Sequence, residues 1–171
     1  MITLDEIVTN NLEILSNRTS DKWINSKYAI VKQSDNTPKG DFGEAVLRDT
    51  FRLIGVKADI INGGKGEFDI ITEESNTKFE CKLATEDTNN GFQFNGLKKD
   101  VEYDYALCLG VSPNNLWFNI WPKSEVMKLT VSMSKGGEDT YKLSARKKLN
   151  SAYPVVPFTV ENFKNKVTKI V

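Results

Sequence analysis

Histidine is missing from the 171-residue sequence, and cysteine occurs only twice, at Cys81 and Cys108. The lack of histidine excludes imidazole general bases, Ser-His-Asp triads and zinc sites that combine cysteine with histidine. Acid–base chemistry must then come from carboxylates, lysine or a metal-bound water. Both cysteines lie in apolar, strand-like segments, which predicts buried thiols in a reducing compartment and neither a disulfide nor a metal pair.

Long hydrophobic segments and a net charge are missing as well. No apolar run approaches the roughly 18 residues of a membrane span and no signal peptide opens the chain, so we expect a cytoplasmic protein without a membrane partner. Residues 1–85 carry 11 basic and 14 acidic side chains, and residues 86–171 carry 12 and 9. This mild asymmetry permits nucleic-acid binding but does not require it.

Apolar periodicity predicts a single α/β domain over residues 1–171 that begins with a helical segment at residues 3–33. Thr3 and Glu6 form a capping box before the first helix, and a second helix is expected over residues 21–32.

The sequence Asn-Thr-Pro-Lys-Gly at residues 36–40 predicts a break in the chain. A third helix is expected from Phe42 to about Ile54, ended by Gly55.

Short strands are expected after the third helix. They cover residues 57–61, 67–72, 78–84, 105–111 and 116–121, with a glycine-rich turn at residues 62–66. Residues 134–140 form a polar, glycine-rich loop, and an amphipathic helix ends the chain at residues 159–170.

Three charged side chains interrupt the two strands of the predicted hairpin: Asp69, Glu80 and Lys82. Side chains alternate between the faces of a strand, and in an antiparallel hairpin the residue numbers of directly opposite residues have a constant sum. A turn at residues 75–76 pairs Asp69 with Lys82, and a turn at residues 74–75 pairs Asp69 with Glu80. Either register places the three charges on one face, whereas a loop with an odd number of residues separates them.

A solvated strand face with a cross-strand ion pair is one interpretation of these charges. Aspartate is, however, among the poorest strand formers, and Asp69 lies between Phe68 and Ile70. Two neighbouring carboxylates and a backbone carbonyl form a hard oxygen site suited to Mg²⁺, and an adjacent ammonium can orient or deprotonate a water. The grouping therefore also predicts phosphodiester hydrolysis.

The sequence from Asp69 through ten further residues to Glu80-x-Lys82 resembles the bipartite motif of the PD-(D/E)XK nuclease superfamily. Phe68 stands where the motif has proline. Lys39-Gly40-Asp41-Phe42-Gly43-Glu44 resembles the preceding helix, on which many members carry a further glutamate. The resemblance covers about residues 40–84 and implies a restriction-endonuclease-like core, with a central mixed β-sheet flanked by helices.

The resemblance also implies a metal site for Mg²⁺, with Mn²⁺ as a substitute. Asp69, Glu80 and the Cys81 carbonyl would bind the metal, Glu44 would bind it directly or through water, and Lys82 would assist the attacking water. Glu44 has a second interpretation, since Asp41 and Glu44 also match a capping box. Against that interpretation, Glu44 shares a helical stripe with Leu47 that should face the sheet.

Candidate DNA contacts follow the motif. Amides suit adenine edges, and lysine and arginine suit phosphates or guanine. The candidates are Gln93, Asn95, Lys98, Lys99, Lys135 and Arg146. Alternation of Phe92 and Phe94 with these amides is equally typical of a half-buried strand, and the polar loop and short basic run are also typical of a solvated surface.

The sequence thus predicts a Mg²⁺-dependent DNA endonuclease, similar to small type II restriction enzymes, that cuts both strands of a site in double-stranded DNA. One such site cuts one strand, so we expect a homodimer, and a restriction system would add a cognate DNA methyltransferase as partner. The alternatives are a structure-specific nuclease resembling junction resolvases and a catalytically silent DNA-binding or accessory domain with the same fold.

Overall fold

The structure is a computed structural model that describes residues 2–18, 22–61, 68–135 and 138–171, without the side chains of residues 15–18 and 131–139. Its helices are α1 (Leu4–Arg18), α2 (Ala29–Gln33), α3 (Asn36–Leu53), α4 (Lys123–Val126) and α5 (Val160–Val167). Its strands are β1 (Ala58–Ile60), β2 (Ile70–Thr72), β3 (Lys78–Thr85), β4 (Gly91–Leu97), β5 (Tyr105–Val111), β6 (Leu116–Pro122), β7 (Val131–Lys135), β8 (Glu138–Arg146) and β9 (Val156–Pro157). Within these ranges, none of the helices combines the length and apolar character of a membrane span.

The central sheet has six strands in the order β1-β2-β3-β5-β6-β9. β3 and β5 pair in parallel and the other neighbours are antiparallel, so the sheet is mixed. Helices α3 and α5 cover one face, where Phe51 and Phe163 pack against Phe79 of β3 and Phe118 of β6. The predicted α/β class, a central mixed sheet flanked by helices, is confirmed.

A second, three-stranded sheet in the order β4-β8-β7 covers the other face. Its inward residues Phe92, Phe94 and Leu97 are at most 1% exposed. The spacing of these residues changes from two to three because β4 carries a bulge between Phe94 and Leu97. β5 is therefore buried between helices and sheet, which accounts for its almost continuous apolar sequence.

Three predicted features are confirmed. α1 begins with the expected capping box, in which Glu6 N–H donates to Thr3 Oγ1 over 3.2 Å and Thr3 N–H donates to Glu6 Oε2 over 2.7 Å. α5 lies within the expected C-terminal helix. Cys81 and Cys108 are free, buried thiols.

The second predicted helix is wrong over most of its length, because only Ala29–Gln33 is helical. Residues 22–28 form turns instead, with Asn25 at a φ of 58°. Both the Ser26 hydroxyl and the Tyr28 N–H donate to the Pro113 carbonyl. This segment is therefore held by contacts to a distant loop and not by its own helical bonds.

The break predicted at residues 36–40 is also wrong, because α3 begins at Asn36. Pro38 lies in the first turn, where backbone N–H groups have no partner within the helix, so its missing N–H costs little. The helix ends as expected near Gly55, which has a φ of 86°. The turn predicted at residues 62–66 and residues 136–137 of the predicted polar loop lie outside the described residues.

Candidate active site

The hairpin of β2 and β3 has one of the two expected registers. Ile70 pairs with Phe79 and Ile71 pairs with Lys78, which corresponds to the turn at residues 74–75. Asp69 N–H donates to the Phe79 carbonyl over 2.9 Å, one residue out of the register of Ile70 and Phe79, so the regular ladder ends at Ile70. Glu80 and Lys82 share one face of β3, and the Asp69 carboxylate lies close enough to raise the pKa of Glu80 further.

Asp69 lies at the point where the ladder between β2 and β3 ends. Its Oδ2 accepts a hydrogen bond from Cys81 N–H over 2.7 Å, so the carboxylate takes the place of a backbone acceptor. The N–H and C=O of one strand residue point to the same side, so the Cys81 carbonyl opens toward the same edge of β3. Burial raises the pKa of Asp69, although Lys82 and the Cys81 N–H act in the opposite direction.

Glu80 and Lys82 form an ion pair on one face of β3. Lys82 Nζ lies 2.5 Å from Glu80 Oε1, and the two side chains are 23% and 7% exposed, respectively. Burial raises the pKa of Glu80, and the attraction of Lys82 offsets this only in part. Burial opposes the charged form of Lys82, but the charge of Glu80 and its hydrogen bond outweigh burial and raise the pKa of Lys82. The lysine is therefore held as a cation.

Glu44 reaches the same site from α3. The helix lies close to β3 here: a Cβ on Gly43 would lie 3.0 Å from Leu83 Cδ1. Burial and the neighbouring carboxylate of Asp69 raise the pKa of Glu44 to about 7. The capping-box interpretation is wrong, because α3 begins at Asn36 and its N-cap is Asp35, which places Asp41 inside the helix.

Glu44, Asp69 and Lys82 line one groove of about 510 Å³ between α3 and β4, which we call the acidic groove. Glu44 belongs to its α3 wall, Asp69 and Lys82 to its floor, and Gln93 and Asn95 to its β4 wall. Glu80, which is only 5% exposed, is not among the residues that line the groove but contacts Lys82. The remaining lining residues are Asn36, Lys39, Gly40, Cys81, Leu83, Gly96 and Thr140.

The six candidate DNA contacts do not lie together. Gln93 and Asn95 line the acidic groove, and the charge of Lys98 offsets a small part of the raised pKa of Glu80. Lys99 donates to the Leu129 carbonyl over 2.7 Å and lies over the Tyr141 ring. Arg146 Nη1 donates to the Asn89 carbonyl over 3.1 Å. The side chain of Lys135 lies outside the described residues.

Asn36 and Lys39 on the α3 side of the groove are not among the predicted site residues, although the resemblance to the helix that carries Glu44 begins at Lys39. The sequence does contain signals for the start of α3 near residue 36. Asp35 is a favourable N-cap residue, and proline in the first turn of a helix is a start signal as well as a stop signal. Thr140 is also not among the predicted site residues, and it lies in β8 and not in the polar loop predicted over residues 134–140.

The donors around the groove are of the type that hard divalent cations prefer, with carboxylates on Glu44, Asp69 and Glu80 and a carbonyl on Cys81. Repulsion among these carboxylates contributes to the raised pKa of Glu44 and of Glu80. Within the described residues, no three Asp, Glu, Cys or His side chains form a preassembled metal centre. The donor chemistry thus fits Mg²⁺, and Glu80 would exchange its contact with Lys82 for the metal.

No family model and no curated protein matches the chain. Among solved structures, the Holliday junction resolvase of the archaeal hyperthermophile Archaeoglobus fulgidus is similar with 16% identity and a TM-score of 0.45, over 75% of this chain and 97% of the resolvase. A bacterial homing endonuclease is similar with 11% identity and a TM-score of 0.47, over 71% of this chain and 85% of that protein. At these low similarities, any functional proposal depends on the residues of the groove.

Proposed function

We propose that the protein is a Mg²⁺-dependent DNA endonuclease whose active site contains Glu44, Asp69, Glu80 and Lys82. The observation that carries this proposal is the convergence of Glu44, Asp69 and Lys82 on one groove from three different elements, with Glu80 bound to Lys82. A solvated strand face would not bury Glu80 to 5% exposure or raise the pKa of a helix glutamate to about 7.

Asp69, Glu80 and the Cys81 carbonyl would hold the Mg²⁺, and Glu44 would bind it directly or through water. Mn²⁺ would serve in its place. When bound, the ion polarises a phosphate oxygen and lowers the pKa of a coordinated water.

The side chains of the groove have distinct roles in this proposal. The hydrogen bond from Cys81 N–H fixes the orientation of Asp69. Lys82 would orient or deprotonate the attacking water, or stabilise the developing negative charge.

We further propose site-specific cleavage of double-stranded DNA, as in type II restriction enzymes, by a homodimer in which each subunit cuts one strand. A cognate DNA methyltransferase would protect the host sites. The same groove chemistry also serves a structure-specific nuclease, and the choice of DNA substrates in the assay distinguishes the two.

The test compares plasmid DNA, linear duplex and a four-way junction in Mg²⁺, Mn²⁺ and EDTA. We expect cleavage with either metal ion and none in EDTA. Discrete plasmid fragments support the site-specific enzyme, and cleavage of the junction alone supports the structure-specific alternative.

Asp69→Asn is the informative variant, because an amide oxygen can still accept the Cys81 N–H bond while the charge is lost. We expect its cleavage rate to fall by about 10²-fold or more with DNA binding retained. Glu80→Ala and Lys82→Ala should also be inactive, although each leaves a buried charge unpaired, so their folding must be checked. Asn165→Ala on the exposed side of α5 is the matched control. Wild-type cleavage by Asp69→Asn, or no cleavage by the wild type in any condition, would refute the proposal.

A further inference from the structure

Two amides on the outer face of β4 project into the acidic groove. Gln93 and Asn95 are exposed, whereas the alternating residues Phe92 and Phe94 are at most 1% exposed. Both amides line the same groove as Asp69 and Lys82. In the described part of the chain, neither amide group has a hydrogen-bond partner, so its donor and acceptor are available to a ligand.

The bulge of β4 fixes the position of Asn95. Asn95 and Gly96 together lie opposite Lys142 of β8, since Phe94 pairs with Leu143 and Leu97 pairs with Tyr141. Gly96 has a φ of 77°, a conformation that glycine adopts without strain. Bulges beside active sites commonly re-aim a side chain.

Buried residues hold the bulge from both sides. Phe94 and Leu97 are fully buried on the inner face of the strand, so β4 cannot slip without moving one of them out of the core. Gln93 and Asn95 are therefore presented on a rigid element, which is what base recognition requires.

The chemistry of a carboxamide matches one base edge in particular. Asparagine and glutamine bind adenine N6 and N7 with a donor and an acceptor at once, whereas guanine is usually bound by arginine or lysine. Strands can read base edges in the major groove of B-DNA, and β4 is an edge strand of the sheet β4-β8-β7 with Gln93 and Asn95 on its exposed face.

The spacing of the two amides sets the spacing of the bases. Residues two apart on an extended strand are separated by about 6.8 Å, because the rise is about 3.4 Å per residue. One base step is also about 3.4 Å along a DNA strand. A strand that lies along the groove would therefore place the two amides two base steps apart.

We propose that Gln93 and Asn95 determine sequence specificity by binding two adenines separated by one base, beside the scissile phosphate. This proposal rests on the proposed function for the identity of the ligand, double-stranded DNA. It adds three points to that function: the residues that recognise bases, the base that they prefer, and the spacing of the two recognised bases.

The test is selection of bound duplexes from a pool with randomised sequence, using the full-length protein in EDTA so that binding is read without cleavage. We expect the wild type to enrich adenine at two positions separated by one base. Gln93→Ala should lose the preference at one position and Asn95→Ala at the other, each by roughly 5- to 150-fold. Gln93→Glu should replace adenine with cytosine at its position, because a carboxylate accepts from cytosine N4.

Asn165→Ala is the control variant and should keep both preferences. Retention of both preferences in Gln93→Ala and Asn95→Ala, or no enrichment of the spaced adenines by the wild type, overturns the proposal. Plasmid cleavage in Mg²⁺ by the same wild-type preparation separates the two proposals. Cleavage without enrichment refutes base recognition alone, whereas enrichment without cleavage refutes the nuclease and supports base recognition.

Discussion

Replacement of Glu44 by glutamine should make the protein less sensitive to alkaline pH. Glu44 is half-buried on α3, and burial together with the neighbouring carboxylate of Asp69 raises its pKa from 4.5 to about 7. Glutamine has nearly the same shape and cannot ionise. The variant therefore removes the charge while it keeps the packing of α3 against β3.

The sign of this pH effect on stability follows from proton binding by Glu44. Because the folded protein holds this proton more tightly than the unfolded chain, the stability contributed by Glu44 is fully present below about pH 4.5 and is lost as the pH rises through about 7. The difference between the two pKa values corresponds to about 3 kcal/mol. Solvent screens a half-buried group, so we expect about 1–2 kcal/mol.

Urea unfolding at pH 5 and pH 8, followed by tryptophan fluorescence in EDTA, measures this effect. Between the two pH values the wild type should lose about 1–2 kcal/mol more of its free energy of unfolding than Glu44→Gln does. Glu13→Gln on the exposed surface of α1 should follow the wild type. Equal losses in the wild type and Glu44→Gln would refute the assignment of Glu44 to a buried, repulsive site.

Two further predictions concern the floor and the α3 wall of the groove, and both are checked by urea unfolding. Asp69→Ala should destabilise the protein by about 1 kcal/mol relative to Asp69→Asn, because alanine leaves Cys81 N–H without its acceptor; equal stability of the two variants would contradict the role of that bond. Gly43→Ala should be about 1–3 kcal/mol less stable than Gly40→Ala, since both gain helix propensity but only the Cβ at residue 43 would lie 3.0 Å from Leu83 Cδ1 and 3.2 Å from Leu83 Cβ. Gly40→Ala is the matched control: with no atom within 4 Å of its Cβ, it should stabilise the helix, by about 1 kcal/mol.

The pairing of β2 with β3 across an even loop could be predicted from the sequence. The choice between the two even registers could not be predicted from the sequence. Hydroxyl contacts select it: Ser75 Oγ lies 2.7 Å from both Thr72 Oγ1 and Thr77 Oγ1. Asn76 adopts a φ of 52° in the same turn. Such short-range choices depend on side-chain geometry that periodicity does not record.

The role of each basic residue could not be predicted either. Lys99 and Arg146 have the same residue types as phosphate-binding side chains, but each donates to a backbone carbonyl far away in sequence, on Leu129 and Asn89. Only the packing of β4 against β8 and the adjoining loops brings these carbonyls close. For Gln93 and Asn95, in contrast, alternation with Phe92 and Phe94 predicts correctly that the two amides lie opposite the buried face of β4.

The charges in the hairpin are compatible with a buried core because the pairing of β2 with β3 ends at Asp69, the first of these charged residues. β2 has only three residues, and beyond Ile70 the Asp69 carboxylate replaces the backbone as acceptor for β3. A longer β2 would satisfy Cys81 N–H and the Cys81 carbonyl within the sheet and would close the edge of β3. The poor strand propensity of aspartate thus has a structural consequence at position 69. It ends the ladder beside Lys82 and leaves a carbonyl and a carboxylate facing the groove that Glu44 enters from the opposite wall.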